Sequence, residues 1–202
     1  PPYFVAGAIY AGFAMVLTLL IPLRRMFRLE AMVTPRHLNN MACVMLLSGL
    51  VVAYGYFMEA FMGLISEDLF ERANALSRLW GHQATMYYPV IFCNVLVPQA
   101  LWIRRVRESE WALFAISIVV SIGMWLERLL IVVGSLNREY LPATWGTYWP
   151  TFWDWATFLG TIGLFATCFV LFLRFAPMIS MTDVRELVGK QQAHGKEGGD
   201  EL

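Results

Sequence analysis

Five apolar stretches, residues 3–23, 38–65, 84–103, 111–136 and 152–175, limit what this chain can fold into more than any other feature. Crossing about 30 Å of hydrocarbon takes roughly 20 apolar residues in a helix. All five stretches are that long. They run apolar without the period-two alternation of a membrane barrel strand, so helices are expected. Composition points the same way: 58% of residues are hydrophobic and 15% charged, whereas a soluble domain carries about a quarter charged residues. A soluble globular fold is excluded. The expected class is an all-α integral membrane protein with five transmembrane helices, a four-helix bundle plus one further helix, over residues 1–187. Residues 188–202 turn to Gly, Lys, Gln and Glu and read as a disordered tail.

Charge placement predicts orientation. Arg24, Arg25, Arg28, Arg36, Arg104, Arg105, Arg107, Arg174, Arg185, Lys190 and Lys196 fall on one side, against Arg72, Arg78 and Arg138 on the other. Cations mark the cytoplasmic face. The N-terminus is therefore expected in the periplasm of a bacterium and the tail in its cytoplasm, across the inner (cytoplasmic) membrane. Trp145, Tyr148, Trp149, Trp153 and Trp155 fit an outer aromatic belt. Fifteen Lys and Arg balance fifteen Asp and Glu, so no basic excess points to nucleic acid. Cys43, Cys93 and Cys168 have no close partner in sequence and read as small core residues. The opening Pro1-Pro2-Tyr3 has neither Met nor a signal-peptide pattern, so a processed chain or a piece of a longer polypeptide is expected. Gly7 with Ala11, and Ala8 with Gly12, form small-residue pairs suited to close helix contact. Pro89 and Pro98 are expected to kink the third span near Asn94 and Gln99.

Ionisable residues inside the apolar runs carry the chemistry. They are Glu59 in the second span, Glu127 beside Arg128 in the fourth, and Asp154 at the start of the fifth. A charge at the bilayer centre costs at least ~2.5–3.5 kcal/mol, so such groups pair or face a polar cavity. Glu59 lies about 31 Å along its helix from Leu38 and Glu127 about 24 Å from Trp111, at about 1.5 Å per residue. With Asp154 near an outer helix end, all three acids fall toward one side. Two readings stay open: structural ion pairs or interfacial exposure, and an outward-facing pocket that takes up protons. Glu59, Glu127 and Asp154 are the proton-handling candidates, with Arg128 as charge partner, His82 as a further candidate at the pocket mouth, and Asn94 and Gln99 as polar path residues. His37, His82 and His194 lie outside the five stretches, so no imidazole pair is available for an intramembrane haem. No bound metal is expected.

Several blocks occur together: PYFVAGAI at 2–9, VAYGYFMEAF at 52–61, MWLER at 124–128, and WDWATF at 153–158. In these the chain resembles the C-terminal half of the NrfD/PsrC-type quinol-interacting membrane subunits, most closely the ActC-type subunit of bacterial alternative complex III. The resemblance runs from Pro2 to about Leu187. It implies a subunit of two four-helix bundles, of which this chain supplies the second and one further helix. Electrons would pass from quinol to a periplasmic iron–sulfur subunit and on through multihaem cytochrome c subunits, beside a homologous membrane subunit, in respiration or photosynthesis. It also implies a quinol or menaquinol pocket formed largely by other parts of the subunit. The alternatives are a secondary transporter or proton-conducting module, in which the same acids bind a cation or substrate, and a structural membrane anchor.

Overall fold

The computed structural model describes residues 2–27, 30, 33–81, 83–136 and 150–175, and among these every regular element is helical. In chain order they are α1 (Pro2–Met26), α2 (Pro35–Ile65), α3 (Leu69–Leu79), α4 (Ala84–Ile91), α5 (Arg104–Glu108), α6 (Glu110–Leu136) and α7 (Phe152–Phe175). A π-helical turn, Phe92–Leu96, and a 3-10 stretch, Val97–Trp102, continue α4 into the third span. Five helical stretches, Tyr3–Met26, Pro35–Ile65, Ala84–Trp102, Glu110–Val133 and Phe152–Phe175, are long and apolar enough to cross a membrane. The chain is a multi-pass membrane protein. The observed spans match the sequence expectation to within a few residues. The belt residues Trp145, Tyr148 and Trp149, together with His82, Arg138, His194 and the 188–202 tail, lie outside the described residues.

Residues 1–146 and 147–202 form two compact units. In the first, α1 packs on α2 and α6, and the third span packs on the same two helices. Tyr10, Leu17, Met45, Val90, Leu113 and Val120 form part of the shared core. Lipid is as apolar as these side chains, so burial alone does not join helices in a bilayer; close packing and hydrogen bonds do. Small residues make the close packing possible. A Cβ on Gly49 would lie 2.9 Å from the Tyr10 ring, and one on Gly55 would overlap the Tyr3 ring. Of the small-residue pairs expected on α1, Gly7 faces Met124 of α6, while Gly12 faces open space.

The end of the unit where α1 finishes is held by ionic contacts. Arg24, 6% exposed, pairs with Glu110 of α6, and its Nε donates to the Val33 carbonyl at 2.6 Å. Arg25 bonds the other Glu110 oxygen at 3.3 Å and lies 4.6 Å from the Trp111 ring centre. The counted loop cation Arg24 is thus a buried clamp. His37, expected outside the second span, sits in the first turn of α2, where its Nδ1 accepts from the Thr34 backbone N–H at 3.3 Å. Cys43 and Cys93 are half-buried and Cys168 is exposed, so none of the three is a fully enclosed core residue.

At the opposite end, the polar 66–83 connection between the second and third spans contains α3. Asp68 caps it by accepting from the Phe70 N–H at 2.9 Å. An oxygen acceptor at that position satisfies one of the first-turn N–H groups. Helix α3 turns back along α2, with Ala75 packed on Gly63, where a Cβ would lie 2.8 Å away, and with Arg78 paired to Glu59.

Candidate functional site

Glu127 lies 17 residues after the start of α6, about 25 Å along the helix. It is 4% exposed. Three neutral donors from three other elements converge on its carboxylate. The Tyr3 hydroxyl of α1 donates to Oε1 at 3.2 Å, the Tyr56 hydroxyl of α2 donates to Oε2 at 2.5 Å, and Asn94 Nδ2 of the third span donates to Oε2 at 3.4 Å. Asn94 Nδ2 also donates to the Tyr56 oxygen at 3.0 Å. Among the described residues no cation pairs with this carboxylate. An uncompensated buried charge costs several kcal/mol. The three donor bonds offset part of that cost.

The third span supplies Asn94 by departing from the α-helix. Pro98 has no N–H to return to the carbonyl four residues before it, that of Asn94. The Tyr10 hydroxyl donates to that carbonyl instead, at 3.2 Å. Around Asn94 the backbone forms the π-helical turn, a feature frequent at functional sites. Gly123 on α6 leaves the room, since a Cβ there would overlap Asn94 Oδ1 and lie 2.6 Å from Cys93 Cβ. Asn94 is fully buried, and its Oδ1 has no hydrogen-bond partner among the described residues. The predicted kink between Pro89 and Pro98 is thus a change of helix type that aims Asn94 at Glu127.

The other candidates occupy different settings. Glu59 pairs with Arg78, and its side chain is 52% exposed. Arg128, expected to hold a carboxylate, instead lies over the Phe4 ring with its Cζ 5.8 Å from the centroid. Adjacent helix positions point about 100° apart, so Arg128 faces outward while Glu127 faces the core. Gln99 does not extend a path from Asn94 among the described residues. Its Nε2 donates to the Val95 carbonyl at 3.0 Å, and its Oε1 accepts from Trp102 Nε1 at 2.8 Å. Asp154, in the second unit, accepts from the Thr151 N–H and hydroxyl, both at 2.7 Å, at the start of α7. Tyr3, Tyr10 and Tyr56 were not anticipated as site residues. Their available signal was a hydroxyl inside an apolar run, with Gly55 adjoining Tyr56.

The first unit is thus a membrane domain whose helices enclose a buried, hydrogen-bonded carboxylate. The pattern of the NrfD family, described as polysulphide reductase NrfD, matches residues 1–138. That match covers Glu59, Asn94, Glu127 and Arg128, and the chain belongs to this family. It is a membrane subunit of a kind generally linked to quinol-interacting redox complexes, whose members typically partner with other redox subunits. Among curated proteins none matches the chain.

Proposed function

We propose that this chain is part of the membrane subunit of a quinol-oxidising complex in the bacterial inner membrane, of the alternative complex III type. In this reading Glu127 takes up and passes on protons released at a quinol site. Quinol oxidation releases protons as well as electrons, and a carboxylate within hydrogen-bond reach of a hydroxyl chain is a suitable acceptor. The observation that carries the reading is the enclosure of Glu127 by three neutral donors, with no cation paired to it among the described residues. A purely structural carboxylate would be expected to face an arginine, as Glu110 faces Arg24.

Quinol or menaquinol would be held with other parts of the subunit. Protons would enter at Tyr3, the first donor on α1. The electrons would leave through a periplasmic iron–sulfur subunit and multihaem cytochrome c subunits, beside a homologous membrane subunit. The end of the unit where α1 begins would face the periplasm and the tail the cytoplasm, as the cation distribution supports. No haem or metal site is assigned to this chain. His82 and Asp154 remain further proton-handling candidates.

The test is Glu127→Gln in intact membranes, with quinol:acceptor turnover and assembly measured together. The substitution keeps shape and removes the carboxyl group's acid–base function. At least a tenfold loss of turnover with normal assembly is expected. Unchanged turnover with normal assembly would leave Glu127 a structural group and favour the anchor reading. One observation favours a transporter instead: the helix is interrupted at Phe92–Trp102, and secondary transporters place their sites at broken helices. Proton flux in vesicles without any quinol would support that second reading.

A further inference from the structure

Glu59 follows Tyr56 by three residues on α2, so the two lie on one face with Cβ atoms about 5–6 Å apart. Tyr56 reaches inward to Glu127, while Glu59 reaches outward to Arg78 of α3. Beside that pair, Ala60, Ala75, Leu79 and Tyr87 complete a recess of about 20 Å³, which is room for about one water. We infer that Glu59 is the surface outlet of the Glu127 cluster and that Arg78 closes it. This inference rests on the proton-handling reading of Glu127.

Simple clamping explains the Glu59–Arg78 pair poorly. Helix α3 is already held by Ala75 against Gly63 and by the Tyr88 hydroxyl, which donates to the Leu79 carbonyl at 2.9 Å. An ion pair this exposed adds little to that hold. Its position does more: it places a carboxylate one turn from the buried phenol, beside a small recess at the surface.

The transfer balances as the movement of one proton. The carboxylic proton of Glu127 passes to the Tyr56 oxygen, and the phenol's own proton passes to a water that bridges the turn. From the water a proton reaches the Glu59 carboxylate. Tyr56 ends neutral, Glu127 ends as the anion and Glu59 as the acid, with Arg78 released from its partner. Loss of that proton to solvent restores the ion pair.

The experiment uses membranes containing the full chain in its native assembly. The infrared carbonyl band removed by Glu127→Gln identifies the protonated Glu127 side chain, and its shift after transfer to D₂O gives the exchange rate. Glu59→Gln, which removes the acceptor, is expected to slow exchange at least tenfold. Arg78→Gln, which removes the closing cation, is expected to quicken it at least threefold. A clamp would give changes of the same sign in both variants, since each would loosen α3. That result, or any pattern other than opposite signs, overturns the outlet. If Glu127→Gln removes no band, Glu127 holds no proton and both readings fall. If the opposite signs appear while Glu127→Gln leaves quinol turnover unchanged, the outlet stands and the quinol-linked function alone is overturned.

Discussion

At the scale of single residues, the site depends on what is missing from certain side chains as much as on what others carry. Glu127 is useful because its neighbours are two phenols and an amide, none of which brings a charge. Gly123 is useful because it has no Cβ, so Asn94 can lie against α6 and reach Glu127. Gly123→Ala is therefore expected to destabilise the protein by about 1–3 kcal/mol, the usual range for overpacking, although alanine favours helix by itself. Thermal unfolding of the solubilised protein checks this; an unchanged or raised midpoint would show that the third span can move aside at no cost. The acid at position 127 and the arginine beside it were visible in the sequence as an isolated pair of ionisable residues in an apolar run. Their division of labour was not. One faces the core and the other the Phe4 ring, because neighbours on a helix cannot share a direction.

At the scale of elements, the third span is the least regular and the most informative. Two prolines in a short apolar stretch announce a departure from the α-helix, but they do not say which carbonyl will be released or what will take it. Here the carbonyl of Asn94, four residues before Pro98, receives the Tyr10 hydroxyl, and the π-helical turn directs the amide inward. Pro98→Ala restores an N–H that can reach that carbonyl. Amide hydrogen exchange over residues 97–102 is expected to slow in this variant, with Tyr10 losing its acceptor. Exchange equal to that of the parent would mean that the irregular turn is maintained by packing rather than by the proline. Helix α3 was hidden for a different reason. Its residues are too polar for lipid and too few for a span, so in sequence they read as a connection; its fold-back depends on Gly63 meeting Ala75 and on the Tyr88 hydroxyl meeting the Leu79 carbonyl in space.

At the scale of the whole molecule, the first unit is joined by polar contacts at both ends. One end carries the Glu127 cluster, and the other carries Arg24, Arg25 and Glu110. The second is structural in its chemistry: a guanidinium 7% exposed in its side chain, with a carboxylate and a backbone carbonyl as acceptors. Removing one member of such a pair leaves a buried charge unmatched, which costs about 3–5 kcal/mol in fully buried cases. Glu110→Gln is expected to approach the lower end, because the glutamate is 26% exposed. Replacing Arg24 and Glu110 together with methionine is expected to cost less than Glu110→Gln alone, since no buried charge is then left behind and Arg25, whose side chain is 46% exposed, stays solvated. Unfolding of the two variants under the same conditions compares them directly.

The five spans and the membrane class were legible from residue order, because a bilayer imposes a length and an apolar content that any spanning helix must meet locally. The list of unusual residues was legible too, since an ionisable side chain in such a run stands out wherever it points. Which of those residues meet depends on helix rotation and on small packing gaps at positions far apart in the chain. Tyr3, Tyr56, Asn94 and Glu127 come from four elements, and their meeting at one carboxylate rests on glycines at 55 and 123. No local pattern encodes that meeting, because hydrogen bonds across helices are selected by three-dimensional fit and not by spacing along a single strand of sequence.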